Sequence, residues 1–326
     1  MIFNLLDANR FAAWIVVNVD SGSTVTATLG SCVLTATASN GQAMFRVPRA
    51  GNWTIKGTLG GNSDTATVSI TTSGQSESVT LAYTKIPAFT YTGQYKIVDD
   101  SDNEITSTTT NNWKIRFLTS GTLTFTSLNG AEGGIDVFLV GGGAGGNYSW
   151  RGGAGGGSGY TSTTQAVTVQ VGIEYDIVIG AGGAGAKTSG GRAGGLTSAF
   201  GSSANGGATL SKNGVYGGDG GSGGGSGTLN PDKDGAYSRA GVGGTDGANG
   251  QGTHPGTGQG TTTREFGEPS GTLYATGGKG VKRNSITPDP VSQNTGDGGN
   301  GAGGNIESTA GGSGIVIIRN ARGGPA

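Results

Sequence analysis

A chain of 326 residues with a single cysteine and a single histidine rules out an internal disulfide and any zinc centre built on two or three histidines. Twenty Lys and Arg against 21 Asp and Glu leave a formal charge of −1, without the basic footprint of a nucleic-acid binder. Glycine dominates the composition, and of 71 glycines eleven lie in residues 1–130 and sixty in the rest. Glycine loses more conformational freedom on folding than any other residue. The second part is therefore either unfolded or ordered by a packing that only glycine permits.

Residues 1–9 form a short lead-in without the basic flank and long apolar stretch of a secretory leader. Nor does any apolar run approach the eighteen or so residues of a membrane helix, so membrane insertion is not expected. The chain is expected to be made in a cytoplasm and, if it acts outside a cell, to leave with a particle released by lysis.

Residues 10–83 read as about seven short strands, the count and spacing of a β-sandwich. Alternation and β-branched residues place strands at 14–19, 24–29, 32–38, 43–47, 52–56, 65–70 and 78–83. Asn40-Gly41 is a hairpin signal, since both residues tolerate positive φ. Trp14, Phe45 and Trp53 are expected in the core, and Cys32 as a buried, inert thiol. The turn before Phe45, followed by a glycine and the Trp53-Thr54-Ile55 strand, resembles the transthyretin-like or carboxypeptidase-regulatory-like sandwich, a module of spacers and attachment points.

Residues 84–326 open with ordinary strands at 89–98, 113–118, 122–126 and 135–140, then at 167–171 and 175–179. Beyond residue 201 strand signals nearly vanish until the apolar run 315–318, which predicts a strand buried on both faces. An isolated terminal strand cannot satisfy its own backbone, so the chain must return to the sheet it left near Val140. Between these points glycine recurs with period three: Gly217-Gly218-Asp219, Gly220-Gly221-Ser222 and Gly223-Gly224-Gly225, then Gly298-Gly299-Asn300. A period of three matches the left-handed polyproline-II helix, which makes no internal hydrogen bonds. Several such helices must pack side by side, with Gly217, Gly218, Gly220, Gly221, Gly298 and Gly299 as structural contact positions. The fold class is thus all-β: a sandwich followed by a β-sheet domain with a polyglycine-II helix bundle inserted into it.

Several motifs imitate chemistry. Residues 141–146 and 180–185 fit G-x-G-x-x-G, but no helix follows to hold a pyrophosphate. Asp100-Ser101-Asp102-Asn103 and Asp232-Lys233-Asp234-Gly235 resemble calcium loops without the bidentate acid. His254 lies in a Gly/Pro turn. No catalytic residue, metal site or cofactor is expected. The interruptions between glycine blocks, at 147–151, 229–239, 264–269 and 282–294, are the binding candidates. They carry Tyr148, Trp150, Arg151, Tyr237, Arg239, Arg264 and Phe266, aromatics and arginines on loops held by a scaffold.

Trp113-Lys114-Ile115-Arg116-Phe117, the run from Val137 into the glycines at 141–146, the stretches 175–183 and 194–201, and the closing Gly311-Gly312-Ser313-Gly314-Ile315 resemble, in order, the glycine-rich C-terminal domains of phage and prophage tail-fibre proteins. The resemblance implies a non-enzymatic receptor-binding adhesin of the virion, at a tail fibre or tail tip. Its partners would be a host cell-surface glycan or protein receptor and other tail proteins, with a homo-oligomer such as a trimer as its assembly. Alternatives are a purely structural fibre or scaffold protein, a bacterial surface adhesin and, more remotely, an ice-binding protein.

Overall fold

The computed structural model describes residues 11–322 apart from 60–61, 189, 210–214, 228–240, 244–247, 250, 252, 257–263 and 283–287. Among the described residues the structure is all-β, and the helical content is one 3-10 turn at Glu265–Gly267. The chain divides into two compact units. One comprises Met1–Ala88 with Ser107–Asn111 and Ser127–Gly130, and the other Phe89–Thr106, Asn112–Thr126 and Ala131–Ala326.

In the first unit β1 (Ala13–Asn18), β4 (Gln42–Val47) and β7 (Ser76–Thr80) form one sheet, in the order β4-β1-β7. β2 (Thr24–Leu29), β3 (Cys32–Thr37), β5 (Gly51–Leu59) and β6 (Asn62–Ile70) form the other, in the order β3-β2-β5-β6. Alternate residues of both sheets meet in one core: Ile15, Val17, Phe45 and Val47 from the first, Val25, Ala27, Trp53, Ile55 and Ile70 from the second. The Asn40-Gly41 turn has φ of 52° and 80°, with Ser39 and Gln42 bonded across it. Trp14 departs from expectation: Ala13, Ile15 and Val17 take the inward positions of β1, so the period of two turns Trp14 outward, 42% exposed. Cys32, at the first position of β3, is half-buried against the core.

The second unit contains β8 (Ala88–Tyr91), β9 (Tyr95–Val98), β10 (Lys114–Phe117), β11 (Gly121–Ser127), β12 (Ile135–Val140), β13 (Thr161–Val167), β14 (Glu174–Ile177), the hairpin β15 (Thr197–Ala199) and β16 (Ser202–Ala204), and β17 (Ile315–Asn320). The last strand lies third in the five-stranded sheet β13-β12-β17-β10-β9, antiparallel to β12 from Val140↔Ile315 to Ile135↔Asn320. All six of its residues are buried. Phe138, Val140, Ile315 and Ile317 share one face and pack against Phe266, Tyr274 and Ala275. A second sheet, β14-β11-β8, adds an aromatic cluster in which Phe125 meets Phe89 and Tyr175 edge-on.

Two local expectations are corrected. The stretch 89–98 is two strands in different sheets, broken at 92–94. The strand expected at 167–171 lies earlier, at 161–167, because pairing with β12 decides it and not apolar alternation.

Candidate functional site

Leaving β12, the chain enters residues 141–147, every one buried. Their N–H groups turn to three neighbours in rotation. Gly141, Gly142 and Gly143 donate to Tyr160, Gly195 and Gly312; Ala144, Gly145 and Gly146 repeat the round through Gly157, Arg192 and Thr309, all at 2.8–2.9 Å. The carbonyls of Gly142, Gly143 and Ala144 accept from three further segments, through Gly207, Gly183 and Gly299. Residues 152–160 behave alike: Gly155, Gly156 and Gly157 donate to Gly225, Gly299 and Ala208, and Ser158, Gly159 and Tyr160 repeat the sequence through Ser222, Gly296 and Asn205. A threefold rotation of donors with no internal bond is the signature of a left-handed three-residue helix. Two such helices form the centre of the bundle.

The spacing admits no side chain at the contacts. A Cβ on Gly143 or Gly157 would fall inside 3.0 Å of a neighbouring backbone, at Asp297 and Asp219 respectively. The glycines expected as contact positions sit the same way: Gly217 against Gly224, Gly218 against Ala208, Gly220 against Ser158, Gly221 against Gly159, Gly298 against Gly156 and Gly299 against Thr309. At the rim the rule relaxes. In 180–186, Gly180, Gly183 and Ala186 are buried while Ala181 and Ala184 face solvent.

Direction then sorts the connections. Residues 180–186 and 295–302 run parallel to 141–147, with Ala181 and Ala184 beside Gly142 and Gly145, and Asp297 and Asn300 beside Gly143 and Gly146. The connections after 147, 186 and 302 therefore gather at the end of the bundle away from β12. The Tyr148 hydroxyl donates to Gly304 O there, tying two of them together. Trp150, 53% exposed, and Arg151 stand outward beside it.

Of the other predicted anchors, Arg264 and Phe266 are not brought to this end. Tyr237 and Arg239, with the loop 232–235, lie outside the described residues. Arg264 is half-buried and donates to Gly271 O at 3.1 Å. Phe266 is corrected from surface anchor to core: it is 4% exposed, packs on Phe138, and carries the Arg319 guanidinium 4.1 Å above its ring. Isolated aromatics between glycine blocks look alike in sequence whether they cap a sheet or face solvent. His254 is exposed in a tight turn with Gln251.

Sequence reasoning missed a charge cluster under the segment that carries Phe266. Glu265, 3% exposed, receives Lys114 at 2.8 Å and Arg116 at 2.9 Å; both cations also reach Asp102, at 2.8 and 2.6 Å. Arg319 pairs with buried Asp136 at 3.2 Å and with Glu268 at 2.6 Å. Burial, reinforced by the Glu265 anion, holds the Tyr274 phenol well above its usual range. A cavity of about 190 Å³ lies among Lys114, Glu265, Glu268, Arg319 and the Asp100–Arg322 pair. The available signal was the spacing of Lys114 and Arg116, which puts two cations on one face of a strand. The calcium-like loop is closed on itself: the Asn103 side chain and backbone bond Asp99 and hold its carboxyl below the usual range.

A family model described as a glycine-rich domain matches residues 118–321, more than half of the chain. The chain belongs to this glycine-rich family. The glycine-rich domain so matched takes in β11 to β17 and the whole bundle, closing just after the strand that returns to β12. No curated protein matches the chain.

Proposed function

We propose that this glycine-rich protein is a non-enzymatic adhesin of a phage tail fibre or tail tip, and that it contacts a glycan or protein receptor on the host surface through the loops at the far end of the bundle. One observation carries the reading. Residues 141–147 and 152–159 of the central helices are buried throughout and spend their backbone groups on each other and on the helices around them, so discrimination falls to the connections collected at one end, where Tyr148, Trp150 and Arg151 stand. Loops anchored in close-packed helices lose little entropy on binding. Weak single contacts gain strength when several copies engage at once. The likeness of residues 113–319 to tail-fibre domains supports the virion setting, and the seven-stranded sandwich suits attachment to other tail proteins. Glu265 and Asp136 are each held by cations, an arrangement that suits a structural role for these two acids.

The test is attachment of purified protein to host cells. Trp150→Ala with Arg151→Ala should abolish it at an unchanged melting temperature, since surface substitutions cost within about 0.5 kcal/mol. Full attachment by the folded double variant would refute the contact. Wild-type protein that binds no cells would favour the purely structural fibre, and release of sugar from a host glycan by the purified protein would overturn the non-enzymatic reading.

A further inference from the structure

A second recess lies within the same unit at the sheet end of the bundle, a cleft of about 440 Å³ lined by Gln94, Leu118, Thr119, Ser120, Ile179, Gln293, Asn294 and Ser313. This size falls in the roughly 300–1,000 Å³ range of small-ligand sites. Its lining is free of charge, in contrast to the paired ions around Glu265. Its walls are fixed by main-chain bonds. Gln94 donates its N–H to Thr119 Oγ1 at 2.8 Å and accepts from Leu118 N at 2.8 Å. Asn294 adopts φ of 60°, donates its N–H to Ser313 Oγ at 2.9 Å, and donates through Nδ2 to Leu118 O and Gly314 O at 2.9 and 3.0 Å. Ser313 N donates to Gln293 Oε1 at 3.2 Å, and Ile179 N to Ser120 Oγ at 2.9 Å.

Much hydrogen-bonding capacity is left over. Both Nδ2 protons of Asn294 are spent, which leaves its Oδ1 as an acceptor, and Oε1 of Gln293 is engaged while its Nε2 is a donor. Among the described residues the Gln94 side-chain amide makes no hydrogen bond. The hydroxyls of Thr119 and Ser120 accept from the backbone and keep their own protons. Donors and acceptors thus share the lining with the apolar residues Leu118 and Ile179.

We infer that this cleft binds a neutral saccharide. Each sugar hydroxyl is both donor and acceptor, which amides and hydroxyls of mixed polarity match. The C–H face of the ring suits Leu118 and Ile179, and an uncharged lining gives an anionic sugar no partner for its charge. The inference rests on the adhesin reading and adds a sugar subsite at the base of the bundle, apart from the far-end loops.

The experiment is saturation-transfer NMR on the full chain with lactose, maltotriose and cellotriose, and with sialyllactose as the anionic control. Wild-type protein should show transfer to at least one neutral sugar and none to the sialic acid ring. Gln94→Ala with Gln293→Ala, both exposed and removable without disturbing the core, should weaken that binding at least tenfold. Trp150→Ala with Arg151→Ala should leave it unchanged. Absence of transfer to all three neutral sugars, or equal binding by the glutamine variant, would overturn the inference. So would loss of sugar binding in the Trp150 and Arg151 variant. Cell attachment, measured on the same proteins, judges the adhesin reading separately: its loss only in the far-end variant leaves that reading standing when the cleft fails.

Discussion

Gly143→Ala is the sharpest perturbation of the bundle. Gly143 lies at the middle of a fully buried helix, donates to Gly312 O at 2.9 Å and accepts from Gly183 N at 2.8 Å. An added Cβ would meet the carbonyl of Asp297 and, at 2.8 Å, that of Gly296. Neither is the end of a flexible side chain, so the residue 295–302 helix must move as a body. Overpacking of this kind costs about 1–3 kcal/mol, and each of the two backbone bonds it loosens adds roughly 0.5–1.5 kcal/mol. The expected loss is therefore about 2–6 kcal/mol. In a unit of this size each kcal/mol moves the melting temperature by roughly 2–4 °C, so calorimetry should show a drop of at least about 4 °C. Gly133→Ala is the control, because nothing lies within 4 Å of its Cβ position. If the two variants melt together, the helices are not in backbone contact and the close-packed account is wrong.

Two further outcomes follow from the charges. Glu265→Ala strands Lys114 and Arg116 beside Asp102 alone and should cost about 3–5 kcal/mol, as removal of one partner from a buried ion group does; a calorimetric loss under 1 kcal/mol would show that the cluster does not hold the 264–274 segment to the sheet. Burial raises the pKa of Asp297, partly offset by the Thr276 N–H and the Thr295 hydroxyl. A carboxyl raised above its unfolded value of about 3.9 contributes its full stability below that pH and loses it as pH rises through the folded value. Asp297→Asn keeps an oxygen for Thr276, so it should raise the melting temperature at pH 7 and not at pH 3. An equal gain at both values would assign the effect to packing.

How much of this was legible in the residues themselves depends on the range of the forces involved. Alternation of apolar residues, turn chemistry at Asn40-Gly41 and the apolar run 315–318 are local or nearly so, and they determined the sandwich, the sheet strands and the return of the chain to β12. Glycine spacing determined that three-residue helices must pack together, because such helices have no internal hydrogen bonds to fall back on. Which neighbour each N–H would choose was not readable, since those partners lie up to 169 residues away, as for Gly143 and Gly312. The fate of the interrupting side chains was decided at the same level. Trp14 faces outward because its neighbours in β1 took the inner positions, Phe266 is buried because the sheet around Phe138 needed cover, and Trp150 is exposed because the helix before it ends at the far side of the bundle. A side chain's type sets what it can do, but only the packed neighbours of its backbone set which surface it meets.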